Sequence, residues 1–241
     1  MNDTKATTGH LSALITILIW GTTFVSTKTL LNDFTPIEIL IFRFTIGYIS
    51  LLTVYPHRIK TLNVKQELYF VAAGLFGVTL YFLLENIALT YTLASNVGVI
   101  ISIAPFFTAI FAQQFLDSEK LILHFFIGFI VAILGIILIG FNENIVLKIN
   151  PLGSILAALA AIVWAVYSVL MKKISEFHFN TIGCTRKVFF YGLFFMIPSI
   201  FIFHFRLDLN RFTSLSNLLN ILYLGFGASA LYFVTDRKSV V

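Results

Sequence analysis

The chain of 241 residues is 59% hydrophobic and only 11% charged, and its net charge at pH 7 is +5. A soluble domain is about 45–50% apolar and about 25% charged, so the composition excludes an ordinary soluble fold and predicts an integral membrane protein. The basic residues lie between hydrophobic segments and form no long run, which argues against a nucleic-acid groove. A single cysteine, Cys184, excludes an intrachain disulfide.

Eight hydrophobic segments are long enough to cross a bilayer, because about 20 apolar residues span it as a helix. Since lipid offers the backbone no hydrogen-bond partners, these segments predict an all-α integral membrane fold. In chain order they cover about residues 10–31, 36–55, 67–89, 92–115, 121–141, 152–171, 186–204 and 215–235. The first is too long for the apolar region of a signal peptide, and we expect it to be retained.

Helix-start and helix-breaking signals agree with these segments. The run Thr35–Glu38 offers a capping hydroxyl, a proline at the first helical position and a capping-box glutamate. Asn150 and Pro151 open the sixth segment in a similar way. Pro105 and Pro198 lie inside segments, where a missing backbone N–H predicts helix kinks.

The distribution of Lys and Arg predicts the orientation of the chain. Eleven of these residues flank the spans on the side of the N-terminus and three flank them on the other side. Because cytoplasmic loops carry the excess of Lys and Arg, the N-terminus is predicted to be cytoplasmic, as is the end of the eighth span. The expected location is the inner or plasma membrane.

Landmarks of the first part of the chain recur in the second part. Gly9, Trp20 and Lys28 return 144 residues later, and Gly74 and the run Leu80–Phe82 return 151 residues later, as Gly153, Trp164, Lys172, Gly225 and Leu231–Phe233. Five spans in the first copy are an odd number, so the second copy starts from the opposite membrane face. This predicts an inverted repeat, which is typical of secondary transporters. Chance similarity between apolar helices is the alternative interpretation.

The second copy lacks counterparts of about residues 85–141. We therefore predict a first five-helix repeat at 1–141 and an incomplete second repeat of three helices at 150–235. Ten helices are expected in a complete chain of about 300 residues, with the residues 236–241 as a non-native tail. A natural eight-span protein is the alternative.

Two charges inside the predicted spans are candidate functional residues, because charges in a bilayer are costly and face a cavity or a partner. Arg43 in the second span and Glu85 in the third are expected at similar depth. They are predicted either to line a polar cavity, with Glu85 responsive to protons, or to form a structural ion pair. Lys28 is closer to the surface and is expected to snorkel to the interface.

Aromatic and amide side chains extend the candidate pathway. Trp20 and Trp164 occupy equivalent mid-span positions, which is unusual for a residue that prefers the membrane interface. Packing between helices is an equal alternative for each aromatic, and Asn86 could instead bond backbone between helices. The further candidates for lining a cavity are Tyr81, Asn86, Asn96, Tyr167 and Tyr232.

The residues that point to a known family are spread along the chain. They are Trp20-Gly21, Arg43, the run Glu85–Asn96, Pro105, and Glu119 before a helix with spaced glycines, Gly128, Gly135 and Gly140. This pattern resembles the EamA-type permeases of the drug/metabolite transporter superfamily. The resemblance implies ten helices in two repeats, a central substrate cavity, both termini in the cytoplasm, and transport of small metabolites such as amino acids.

The inverted repeat predicts a secondary transporter, and the family resemblance implies that it exports amino acids or related compounds. The alternatives are a multidrug or cationic-solute exporter with Glu85 as counter-ion, and a non-transporting membrane assembly protein. The histidines have no metal-ligand spacing and there is no phosphate-binding loop, so no cofactor, metal or enzymatic activity is predicted. Proton coupling and a homodimer stay open.

Overall fold

The computed structural model describes residues 18–116, 125–131, 134, 150–203 and 205–231, and each regular element within them is a helix. Helix α1 covers 18–30 and α5 covers 125–131. The other helices are α2 (Pro36–Val54), α3 (Val64–Tyr91), α4 (Ala94–Phe115), α6 (Pro151–Ser175), α7 (Thr181–Ile202) and α8 (Leu215–Leu222, continuing as a π-helix over Tyr223–Leu231). The prediction of an all-α membrane fold is confirmed.

Five of these helices, α2, α3, α4, α6 and α7, are long and apolar enough to cross a membrane. Many of their large apolar side chains point outward, including Phe194 and Phe201 on α7 and Ile155 on α6. In a soluble protein such surfaces would face water, whereas here they match the lipid.

Side-chain caps fix where the helices start. At α2 the Thr35 backbone N–H donates to Glu38 Oε2 at 2.8 Å, which is half of the predicted capping box. At α7 the Asn180 side chain accepts from the N–H groups of Ile182 and Gly183. The cap at Asn180 starts α7 at Thr181, five residues before the predicted segment. Arg186 and Lys187 therefore lie inside the helix and not at its first residues.

The two intramembrane prolines have different surroundings. In α4 the first helical stretch ends at Ile101, a turn follows, and the helix resumes at Ala104 with Pro105 in its first turn. In α7 the helix continues through Pro198 to Ile202.

Helix pairing follows the repeat. Helix α2 packs along α8, and α3 packs along α7. Because the repeat relates α2 to α7 and α3 to α8, these are two copies of one contact. The π-helical stretch Leu75–Leu80 inside α3 also returns 151 residues later within Tyr223–Leu231 of α8. The inverted-repeat architecture inferred from sequence therefore appears in the packing.

Glycines permit the close approach in both copies. A Cβ on Gly74 of α3 would lie 2.8 Å from the backbone N of Gly192 and 2.9 Å from the carbonyl of Val188, both on α7. A Cβ on Gly225 of α8 would lie 2.7 Å from Cβ of Ile46 on α2. Gly74 and Gly225 are the repeat-equivalent pair, so one sequence landmark builds the same contact twice.

Helix α6 packs against α3 and α4. Its stripe of small residues, Gly153, Ala157, Ala161 and Ala165, is buried against its neighbours, α3 and α4. A Cβ on Gly153 would meet Tyr91 Cβ at 3.1 Å. The stripe thus serves packing within the chain.

Candidate functional site

The Arg43 side chain lies between α2 and α8 and is 2% exposed. Its Nε donates a hydrogen bond of 2.7 Å to the hydroxyl of Ser229. Its guanidinium stacks over the ring of Phe82 on α3, 4.3 Å from the centroid. The cation thus joins three helices, two from the first repeat and one from the second.

Glu85 is 1% exposed and lies one turn beyond Tyr81 on α3. Its carboxylate lies near the Tyr81 hydroxyl and has an attractive electrostatic interaction with the Arg43 guanidinium. Glu85 is not one of the carboxylates that form ion pairs within the described residues. Arg43 and Glu85 are both buried in one region of the bundle.

The two equivalent tryptophans contact each other. The ring centroids of Trp20 on α1 and Trp164 on α6 are 5.6 Å apart. Trp164 also contacts Tyr81 at 4.7 Å and Tyr167 at 5.0 Å. Because the repeat relates Trp20 to Trp164, their contact lies where the two repeats meet. We call Trp20, Tyr81, Trp164 and Tyr167 the aromatic cluster.

The remaining sequence-predicted residues either have hydrogen bonds of their own or lie outside the described residues. Asn86 donates to the backbone carbonyl of Pro36 at 3.2 Å, which joins α3 to the start of α2. Asn96 donates to the Thr92 hydroxyl at 3.0 Å, near the start of α4. Tyr232 lies outside the described residues.

A polar cluster that the sequence did not single out lies where α2 and α8 begin. Glu38, 1% exposed, binds the Arg211 guanidinium through both oxygens, at 2.8 and 3.1 Å. It also accepts from the backbone N–H of Arg206 at 3.0 Å. The hydrogen bonds that Arg211 donates to the Glu38 carboxylate raise the pKa of Arg211, which stays charged. We call Thr35, Glu38, Arg206 and Arg211 the Glu38 cluster.

Further bonds tie this cluster to the loop between α1 and α2. Arg211 donates to the carbonyl of Asp33 at 2.9 Å. Asn217 on α8 donates to the Asp33 carboxylate at 2.8 Å and to the Arg211 carbonyl at 2.9 Å. In the sequence, only Glu38 could have indicated this cluster. Its role in the capping box accounts for its bond to Thr35 but not for its pairing with Arg211.

A second cluster lies at the opposite end of the bundle, where α3 begins. Glu67 on α3 forms a 2.6 Å ion pair with Lys187 on α7 and accepts from the hydroxyls of Tyr191 and Thr61. Because α2 and α3 are successive spans, their starts lie at opposite membrane faces. We call Glu67, Lys187, Tyr191 and Thr61 the Glu67 cluster.

Two cations bind the carbonyl ends of helices, where the helix dipole is negative. Lys28 of α1 donates to the carbonyls of Leu89 and Thr92 at the end of α3, so it is bound between helices instead of simply snorkelling. Arg186 of α7 donates to the carbonyl of Tyr55 at the end of α2, and to that of His57 at 2.7 Å.

Within the described parts of the chain, no group of three or more His, Cys, Asp or Glu side chains is arranged to hold a metal ion. Among the described residues, the buried polar groups between the spans include the Arg43 guanidinium, the Glu85 carboxylate, the Asn86 amide and the Ser229 hydroxyl. Such a set can bind ionic and hydrogen-bonding groups of an organic solute.

Apolar spans and an inverted-repeat packing with buried charges at its centre define a multi-pass membrane protein. The chain matches the EamA-like transporter family over residues 7–141, more than half of its length, and it belongs to that family. The family is one of membrane transporters, so the general prediction of a transporter is confirmed.

Relatives and a solved structure agree with this assignment. An uncharacterized transporter of Clostridium kluyveri is 28% identical, over 94% of this chain and 75% of its own length. An uncharacterized transporter of Archaeoglobus fulgidus is 27% identical, over 74% of this chain and 62% of its own length. A crystal structure with 20% identity superimposes with a TM-score of 0.70 over 97% of this chain and 78% of that one, which supports the fold.

Proposed function

We propose that the protein is a secondary transporter that exports amino acids or related small metabolites across the cytoplasmic membrane by alternating access. The N-terminus faces the cytoplasm in this proposal, as the excess of Lys and Arg on that side favours. The solute crosses between the two repeats, near Arg43, Glu85 and the aromatic cluster.

The observation that carries the proposal is the burial of Arg43 and Glu85 together between helices of both repeats. Charges buried inside a bilayer are costly and usually mark a substrate or ion pathway. A guanidinium binds a carboxylate, and a carboxylate binds an ammonium group. The pair therefore offers complementary charges to a zwitterion.

The clusters at the two membrane faces support alternating access. The Glu38 cluster joins α2 to the loop before α8, and the Glu67 cluster joins α3 to α7. Alternating access requires the repeats to separate at one face while they stay joined at the other. In this proposal the contacts of one cluster break while those of the other stay intact, so that the solute site is open to one membrane face at a time.

Proteoliposomes test the proposal directly. Purified protein is reconstituted, and the uptake of radiolabelled amino acids is compared with that of empty vesicles. We expect saturable uptake for at least one amino acid and a decrease of at least tenfold in the Arg43→Gln variant. The exposed Lys65→Gln variant, which also loses one charge, is the control and should transport normally. If the Arg43→Gln variant shows the same saturable uptake as the unmodified protein, Arg43 is not part of the solute site.

One observation favours a second candidate, the export of cationic solutes. The aromatic cluster includes Tyr81, which lies beside Glu85, and aromatic faces together with a carboxylate attract cations. Uptake of a quaternary ammonium compound but of no amino acid would favour this candidate. Absence of flux for every solute would favour the third possibility, a membrane assembly protein.

A further inference from the structure

A cavity of about 420 Å³ adjoins the Glu38 cluster at the face where α2 and α8 begin. It is lined by Thr35, Glu38, Phe203, Arg206, Asp208 and Arg211. Charges of both signs and one aromatic ring thus share a volume that suits a small organic molecule. A simple anion or cation would meet a like charge there, whereas a zwitterion has a partner for each sign.

Arg206 is the cation that this cavity leaves available. Its backbone is fixed, because its N–H donates to Glu38 and its carbonyl accepts from Arg211 at 2.6 Å. Its exposed guanidinium forms no ion pair within the described residues. The Arg211 guanidinium, by contrast, binds Glu38 and two backbone carbonyls. A guanidinium with an unused fork of N–H groups is well suited to bind a carboxylate through two hydrogen bonds.

Asp208 supplies the opposite charge. Its Oδ1 accepts from the backbone N–H of Asn210 at 3.0 Å, which holds the carboxylate at the start of the 3-10 helix Leu209–Thr213. Because the carboxylate is planar and rigid, this bond also restricts the orientation of Oδ2. Phe203 adds an apolar wall to the same cavity. Carboxylate, ammonium and apolar side chain are the three groups of an apolar α-amino acid.

We propose that this cavity is a second binding site for an apolar α-amino acid. Arg206 binds the carboxylate of the amino acid, Asp208 binds the ammonium group and Phe203 contacts the side chain. The identification of the ligand rests on the proposed function, whereas the site is distinct from the region around Arg43. The ion pair between the buried Glu38 and the partly exposed Arg211 holds the lining of the site in place.

The test measures binding of L-phenylalanine to the purified protein in nanodiscs by isothermal titration calorimetry. We expect 3-phenylpropionate, which lacks the ammonium group, and 2-phenylethylamine, which lacks the carboxylate, to bind at least tenfold more weakly. Arg206→Gln should weaken L-phenylalanine binding at least tenfold, as expected for hydrogen bonds between charged groups. Arg206→Lys should restore part of the affinity.

Asp208→Asn gives an independent test of the assignment. It should weaken binding of L-phenylalanine but not of 3-phenylpropionate, because only the ammonium group uses Asp208. Arg58→Gln removes an exposed arginine at the opposite face and serves as the control for net charge. Circular dichroism and size-exclusion profiles that match the unmodified protein establish that each variant is folded.

The outcomes separate this site from the proposed function. Absence of L-phenylalanine binding, or equal binding in the Arg206→Gln variant, overturns the site, even if amino-acid flux persists. Binding that depends on Arg206 and Asp208 supports the site. If such binding occurs without amino-acid flux, the site stands and the proposed export of amino acids fails.

Discussion

Arg43 on α2 donates a 2.7 Å hydrogen bond to Ser229 on α8, and the two residues are 186 positions apart in the chain. The bond joins the first repeat to the second in the buried region that also holds Glu85. Close packing beside it, where Gly47 would place a Cβ 3.2 Å from Ser229 Cβ, leaves little room for either side chain to move.

Loss of the Ser229 hydroxyl should destabilise the protein. Ser229→Ala removes a partner of a buried cation, so we expect the free energy of unfolding to fall by about 1–3 kcal/mol. Ser216→Ala, on the exposed face of the same helix, should change it by less than about 0.5 kcal/mol. Unfolding in mixed micelles, followed by circular dichroism, measures both values. Equal effects of the two substitutions would contradict the role of the bond.

The Glu38–Arg211 pair should be a strong contact. Either Glu38→Gln or Arg211→Gln leaves a charge without its partner, and we expect a loss of about 2–3 kcal/mol, less than for a fully buried pair because Arg211 is 20% exposed. The double variant should lose less than the sum of the two. The exposed pair Lys173–Glu176 is the matched control, with a coupling of about 0.5 kcal/mol or less. Strict additivity at Glu38 and Arg211 would show that the pair is not coupled.

The repeat-equivalent glycines should be intolerant of alanine. Gly74→Ala and Gly225→Ala place a methyl group within 2.9 Å of atoms on the facing helix, which predicts a loss of about 1–3 kcal/mol in the free energy of unfolding. Gly21→Ala has open space around the new methyl group and should be neutral or up to about 1 kcal/mol stabilising, as alanine favours helix. The thermal melting temperatures in detergent compare the three variants. Unchanged melting of Gly74→Ala and Gly225→Ala would refute the close packing.

Glu85→Gln tests proton coupling. The substitution keeps the shape of the side chain but cannot take up or release a proton. If Glu85 carries the coupling proton, the rate of proton-driven solute uptake should fall at least tenfold in the variant. The rate of solute exchange that remains should no longer vary between pH 5 and pH 8. Proteoliposomes with an imposed pH gradient provide the measurement. Transport and a pH profile that match the unmodified protein would exclude the proton role and leave Glu85 as a structural residue.

The fold was accessible from sequence because its signals are long and redundant. Apolar segments of bilayer length give the helices, and landmarks such as Gly74 and Gly225 give the repeat. Trp20 and Trp164 were paired by sequence position, and their contact follows from the symmetry. The start of α7 was placed five residues late because Asn180 was not recognised as a cap.

The polar clusters were harder to predict because their partners are distant in the chain. Glu38 has a local role in the capping box, which hides its pairing with Arg211, 173 positions away. Lys187 is one of the eleven Lys and Arg residues counted on the side of the N-terminus as an orientation signal, although it pairs with Glu67. A single sequence contains no information on such pairs, since each partner has a sufficient local explanation of its own.

Trans-stimulated exchange tests the central claim, alternating access for an amino-acid solute, most directly. Proteoliposomes are loaded with an unlabelled amino acid, and the initial rate of uptake of the labelled compound is measured against unloaded vesicles. The proposal predicts uptake that is several-fold faster in the loaded vesicles and is lost in Arg43→Gln. The proposal would be contradicted if, for every amino acid tested, both loaded and unloaded proteoliposomes took up the labelled compound no faster than liposomes without protein.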